Sequence, residues 1–206
     1  MEKPEPDNFP EKPDISPLLQ TLNHFHPVSD GAVDYLRDHI FEVKIPRGKL
    51  LVKLGQICEN VYFIRQGVLR GYIREGPKDI TTWITAEGEL VTSISGLDQE
   101  GPAIENIQAI EDCDLLALDF GHLQELYVRF PEFNVLIRKL LQQYYRDAEG
   151  RAFIARLTNA ESKYKHFLAH HSRLVNRIPL KYVASFLGIT LETLSRVRRR
   201  ISLRQG

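Results

Sequence analysis

The chain has 206 residues, of which 43% are hydrophobic, and its 27 Lys/Arg balance 27 Asp/Glu. That length and composition suit one large domain or two small ones with true cores. Its two cysteines, Cys58 and Cys113, are too few for an all-cysteine iron–sulfur or zinc site within one chain, so no cofactor is expected. No apolar run reaches membrane-spanning length and no secretory signal is present, which leads us to expect a soluble, cytoplasmic protein with no membrane partner.

The neutral total hides a division. Residues 151–206 hold 12 basic residues and only two acids, Glu161 and Glu192, leaving 15 basic and 25 acidic residues in 1–150. Such asymmetry points to a polyanion-binding end on an acidic body.

In chain order, residues 1–17 carry Pro4, Pro6, Pro10, Pro13 and Pro17 among charges and are expected to be disordered. Leu18, Leu22 and Phe25, then Val33, Leu36 and Ile40, fit short amphipathic helices. From Phe41 to Leu118 short Val-, Ile-, Tyr- and Phe-rich runs are broken by Gly48, Gly55, Gly67, Gly76, Gly88 and Gly101. Strands are predicted at Phe41–Ile45, Lys49–Val52, Val61–Arg65, Val68–Arg74, Asp79–Ile84, Ala103–Ala109 and Cys113–Asp119. Close-spaced strands with glycine turns favour a small sandwich or jelly-roll barrel, whose interior is either packed or holds one small ligand.

The pattern then becomes helical. A segment from Gly121 to Arg129 stops before Pro131, because a residue preceding proline is pushed out of helical geometry. A longer helix begins near Pro131, which the first turn tolerates. Phe133, Ile137, Leu140 and Tyr144 lead its three-four stripe, with Asp147, Arg151 and Ile154 following and Leu136 and Leu141 widening it. This stripe either packs on the chain's own barrel or forms the seam of a homodimer, with Phe133, Ile137, Leu140 and Tyr144 as the interface. Ala160–His171 reads as a further helix, capped by Asn159 or Thr158.

The final segment is the most specific. A helix over Pro179–Leu187 turns Val183, Ala184 and Leu187 inward, and Ala184 is small where a second helix must approach. Gly188 can adopt the left-handed corner, Ile189 plugs it, and Thr190 can cap the next helix. On that second helix Leu194, Val197 and Ile201 face the core. The opposite side offers Leu191, Glu192, Ser195, Arg196, Arg199 and Arg200. A helix pair of this kind can place one rigid helix in the major groove of double-stranded DNA, where arginine bridges guanine acceptors and glutamate accepts from cytosine. The remaining candidate DNA contacts are Lys181, Thr190 and Thr193, and arginines toward the C-terminal end suit phosphate.

These residues resemble the Crp/Fnr family of bacterial transcription regulators over about Leu18–Ile201. The likeness is strongest at Gly188-Ile-Thr-Leu-Glu-Thr-Leu-Ser-Arg196 and continues in Gly48…Leu51…Gly55 and Tyr62-Phe-Ile-Arg-Gln-Gly67-Val-Leu-Arg70. The resemblance implies an α+β protein: an N-terminal jelly-roll of cyclic-nucleotide-binding type, a long dimerisation helix, and a C-terminal helix-turn-helix of winged-helix type with a minimal or absent wing. The corresponding segments are 18–130, 131–157 and 158–206. Family members that bind cyclic AMP use a Gly-Glu pair and a later Arg-Ser or Arg-Thr that holds the phosphate. Gly88-Glu89 resembles the first, which makes Gly88 and Glu89 candidate effector contacts, or alternatively the residues of a simple turn. At the second this chain has Ala103-Ile104, and no Lys or Arg lies between Gly88 and Gly101. A buried phosphate without a cation is costly, so ordinary cyclic AMP binding is not expected. An unidentified small-molecule effector and RNA polymerase remain candidate partners.

No catalytic arrangement competes. His24-Phe-His26 lies outside the strands without further metal ligands, and there is no nucleophile–base pair or phosphate-cradling loop. The alternative to a DNA-binding regulator is a cyclic-nucleotide-like sensor acting through a protein or RNA partner.

Overall fold

The computed structural model describes residues 12–95 and 101–204. Two short helices, α1 (Ser16–Phe25) and α2 (Asp30–His39), precede eight strands: β1 (Phe41–Ile45), β2 (Leu50–Val52), β3 (Asn60–Gln66), β4 (Val68–Glu75), β5 (Lys78–Ala86), β6 (Leu90–Val91), β7 (Asn106–Ala109) and β8 (Cys113–Asp119). Five helices follow: α3 (Phe120–Arg129), α4 (Glu132–Arg156), α5 (Ala160–His171), α6 (Leu180–Leu187) and α7 (Leu191–Ser202). Among the described residues no strand follows α7, and no helix is long and apolar enough to cross a membrane.

The expected disorder of 1–17 falls largely outside the described residues, but its last part is corrected. Ile15 is buried and α1 begins at Ser16, with Pro17 in its first turn and Asp14 accepting from the Ser16 amide at 2.9 Å. Proline there marks a helix start, not a loop.

The strands form two antiparallel four-stranded sheets, ordered β1-β8-β3-β6 and β2-β7-β4-β5. The jelly-roll expectation holds. Ile64, Leu69, Ile107, Ala109, Leu115 and Ala117 fill the interior between the sheets. Alternate residues of the first sheet, Phe63, Leu116 and Leu118, point outward and are covered by α1–α4. Because both faces of this sheet are covered, Tyr62, Phe63 and Ile64 are all buried despite the two-residue repeat.

The second sheet is also covered on both faces. Inside the barrel, the indole of Trp83 fills the place a Cβ on Gly71 would occupy, and its Nε1 donates to Glu105 at 2.6 Å. Outside, Val68 and Ile84 pack with Ile154, Phe167 and Leu187 of the C-terminal helices. One strand, Val68-Leu-Arg-Gly-Tyr72, is therefore buried throughout, its arginine included.

Gly67 alone links β3 to β4. Its φ is +114°, and a Cβ there would meet the Cys113 side chain and backbone, so the join requires glycine. The expected strand at Ala103–Ala109 starts only at Asn106, because Ala103 instead exchanges backbone hydrogen bonds with Gly55 and Gln56 across an irregular loop.

Candidate nucleic-acid interface and effector barrel

α5, α6 and α7 make a compact head. Asn159 caps α5, accepting from Glu161 and Ser162 at 2.8 and 3.1 Å. Gly188 ends α6 at φ 62°, ψ 39°, a conformation that other residues enter at a cost, and Ile189 donates back to the Ala184 carbonyl. The Lys163 ammonium, itself buried, donates to the Leu187 carbonyl at 2.9 Å and satisfies a further open group at this corner. Thr190 accepts from the Thr193 amide at 3.1 Å and starts α7. Val183, Ala184, Leu187, Leu194 and Val197 are buried together, with Ile201 partly buried against them.

This packing turns Leu191, Glu192, Ser195, Arg196, Arg199 and Arg200 to solvent, all on α7. Lys181 is exposed on the first turn of α6, Thr190 is exposed, and Thr193 is half-buried. The Arg196 guanidinium donates to the Thr193 hydroxyl at 3.3 Å, which aims it across the α7 N-terminus. The Glu192 backbone amide, then the Thr190 hydroxyl, holds the Glu192 carboxyl below its usual range, so it faces solvent as an acceptor. Arg200 and Arg204 are drawn toward α5: Glu161 meets them at 3.8 and 2.9 Å.

Of the two readings left open for the α4 stripe, packing on the chain's own barrel accounts for much of it. Phe133 and Leu140 are buried, Ile137 packs on the barrel-side core, and the Tyr144 hydroxyl bonds to the Leu90 amide and carbonyl at 2.9 and 3.2 Å. α4 instead exposes Leu141 and Tyr145, beside a cleft of about 800 Å³ that they line with Ile137 and Arg138.

For Gly88 and Glu89 the structure shows the turn, the second of the two readings left open for them. They form the turn from β5 to β6, where Gly88 at φ +87° and Glu89 exchange backbone bonds with Ile64. The Glu89 carboxyl packs beside the Tyr144 hydroxyl of α4, and desolvation there raises its pKa. Where the resemblance implies a phosphate-holding pair, Ala103 is buried and Ile104 is 71% exposed. Among the described residues the buried cations are Arg70 and Lys163, and neither points into the barrel. These residues do not fit a cyclic nucleotide phosphate. Both cysteines are buried, and burial pushes the Cys113 thiol up to about 11.

Sequence reasoning missed the residues joining head to barrel. Arg177, just before α6, pairs with Glu87 at 2.5 Å and with Glu111. The Ser185 hydroxyl donates to the Asp79 carbonyl and accepts from the Thr81 amide, both at 2.9 Å. The Arg70 guanidinium lies over the rings of Tyr72 and Tyr182, 4.2 and 3.8 Å from their centroids. The available signal was an arginine inside an otherwise apolar strand.

Arg177 holds the Glu87 carboxyl at about 2 against an ordinary 4.5, with the Gly67 amide adding to the effect. Because the folded value lies below the unfolded one, the stabilisation is complete above about 4.5 and fades as pH falls toward 2. The gap in melting temperature between the parent and Glu87→Gln should therefore be constant near neutrality and close across that acid window. A gap that persists at pH 2 would show that the charge is not its source.

A jelly-roll barrel is joined through a long helix, α4, to a helix-turn-helix head. Residues 42–130 match the cyclic nucleotide-binding domain. Over 177 residues the chain is 28% identical to the fumarate and nitrate reduction regulatory protein of Yersinia pestis, covering 78% of this chain and 69% of that one. It is 25% identical over 165 residues to the transcriptional activator protein FnrA of Stutzerimonas stutzeri, covering 74% and 67% respectively. The structure of FixK2 from Bradyrhizobium japonicum shares the fold, with a TM-score of 0.69, 19% identity, and coverage of 81% of this chain and 86% of that one. Over most of its length the chain is thus similar to proteins named as transcriptional regulators, and residues 42–130 carry the match to the cyclic nucleotide-binding domain.

Proposed function

We propose that this protein is a homodimeric, sequence-specific DNA-binding transcription regulator whose two α7 helices enter successive major grooves about one helical turn apart. The observation that carries this reading is α7 itself: its inner side is locked by Leu194 and Val197, while Glu192, Ser195, Arg196 and Arg199 stand together in solvent. The relatives' names, which are those of transcriptional regulators, support it. The barrel biases where the heads sit, and a ligand acts by favouring one placement over another. Since its interior offers no cation among the described residues, that ligand is not cyclic AMP bound through its phosphate.

The test is selection of duplexes from a random pool by the purified protein, alongside calorimetric titration with cyclic AMP. An approximately palindromic site with half-sites one turn apart is expected, and no heat from the nucleotide. Equal retention of single strands and duplexes would overturn the DNA reading. Micromolar cyclic AMP affinity would overturn the effector reading.

The dimer seam is assigned to the outward side of α4. Tyr145 is 69% and Leu141 53% exposed, and a second copy packed along this helix would cover both. Tyr145→Asp combined with Leu141→Asp should shift sedimentation from dimer to monomer and weaken palindrome binding. A dimer that survives both changes places the seam elsewhere.

A further inference from the structure

Besides the apolar packing of Val68 and Ile84 against Phe167 and Leu187, three polar contacts join barrel and head, and the face proposed to meet bases is at none of them. Arg177 reaches out from the head with both sides of its guanidinium: Nη1 and Nη2 meet the two Glu87 oxygens at 2.9 and 2.5 Å, while Nε lies 3.4 Å from Glu111. Ser185, in mid-α6, takes one donor and one acceptor from β5. Arg70 is 2% exposed, and its edge is already satisfied within the barrel by Gln108 at 2.9 and 2.7 Å, Thr81 at 3.1 Å and Asp79 at 3.2 Å. The barrel thus holds a preformed cation with Tyr72 on one ring contact, and Tyr182 of α6 supplies the other. Meanwhile Glu192, Ser195, Arg196 and Arg199 remain exposed, so this docking does not cover the surface proposed to meet bases.

A head on a loose tether can reach half-sites at many separations, but it loses orientational freedom each time two heads bind at once. A head fixed to its barrel has already lost that freedom and matches only one separation. We propose that Arg177, Ser185 and Tyr182 are positioning residues that lock each head to its own barrel and so set the half-site spacing the dimer accepts. The proposal deepens, and rests on, the reading of the protein as a duplex-binding dimer. None of the three is expected to touch DNA.

The test uses the full chain carrying Arg177→Ala, Ser185→Ala, or both, since both side chains are only half-buried. Spin labels on cysteines introduced at Lys78 in the β4–β5 hairpin and Arg173 before α6, both exposed, report the head's placement without DNA. The double variant should broaden the distance distribution relative to the parent. An unchanged narrow distribution overturns the lock whether or not the protein binds DNA, so failure of the lock is separable from failure of the DNA reading. With duplexes built from the selected half-site, affinity for one isolated half-site should be unchanged. Affinity for the inverted pair at its best spacing should fall ~10-fold, and the preference over spacings one base pair longer or shorter should flatten. Equal loss on the isolated half-site would mean that these residues serve the head's own fold. Tighter binding at every spacing would mean that the contact restrains the head instead of setting it. Either result overturns the proposal.

Discussion

Leu194→Ala is expected to cost about 2–5 kcal/mol, the usual range for emptying a fully buried leucine site. Leu194 is 0% exposed and sits where α5, α6 and α7 converge, in one cluster with Phe167, Val183, Ala184 and Leu187. Few residues build this head, so little nearby can shift to close the cavity. The same cluster reaches Val68 and Ile84 on the barrel's outer sheet, so the loss should not stay within the head. Denaturant unfolding followed by helical circular dichroism and by the single tryptophan, Trp83 in β5, separates the two parts. The helical signal should lose its midpoint first, with the tryptophan transition following at a smaller shift. Duplex binding should fall with the helical signal. A cost below about 1 kcal/mol would mean that α7 is not packed through this side chain.

What could be read from the sequence was local chemistry, and what could not was the choice of partner. Gly188 and Thr190 each satisfy or bend a backbone within a few residues of themselves, so their roles followed from residue type alone, whereas Asn159 was one of two candidate caps of α5 and is the one that forms it. The strands between glycine turns were visible for the same reason, except β6, whose two residues carry no periodicity. The α4 stripe was visible as a stripe, but periodicity does not say which body it meets. Phe133 and Leu136 went to the chain's own barrel, leaving Leu141 and Tyr145 outward. Gly88-Glu89 was legible only as a choice between an effector contact and a turn, of which the structure shows the turn. In a strand a shift of one residue exchanges inside for outside, so a dipeptide match cannot tell a pocket from the turn beside it. The buried Arg70 was hidden because its partners, Gln108, Asp79 and Tyr182, come from three separate elements.

Arg196→Ala and Arg200→Ala should separate base reading from phosphate contact. Arg196 lies one turn into α7, beside Thr193 and on the face with Glu192 and Ser195, where its fork can reach a guanine edge. Its loss should cost about 1–3 kcal/mol on the selected site and much less on a duplex changed at the contacted base pair, so discrimination at that position disappears. Arg200 lies a turn further on, where phosphate is nearer than base edges. Its removal should weaken all duplexes alike and lower the slope of log affinity against log salt by about 1. Glu161 adds a third measurement, because it already holds Arg204 at 2.9 Å and Arg200 at 3.8 Å. Glu161→Gln frees both guanidinium groups, and should raise affinity for unrelated duplexes and steepen the salt slope without changing the preferred sequence. If Arg196→Ala weakens matched and mismatched sites equally, Arg196 is a phosphate contact and the face of α7 that reads bases has been placed wrongly.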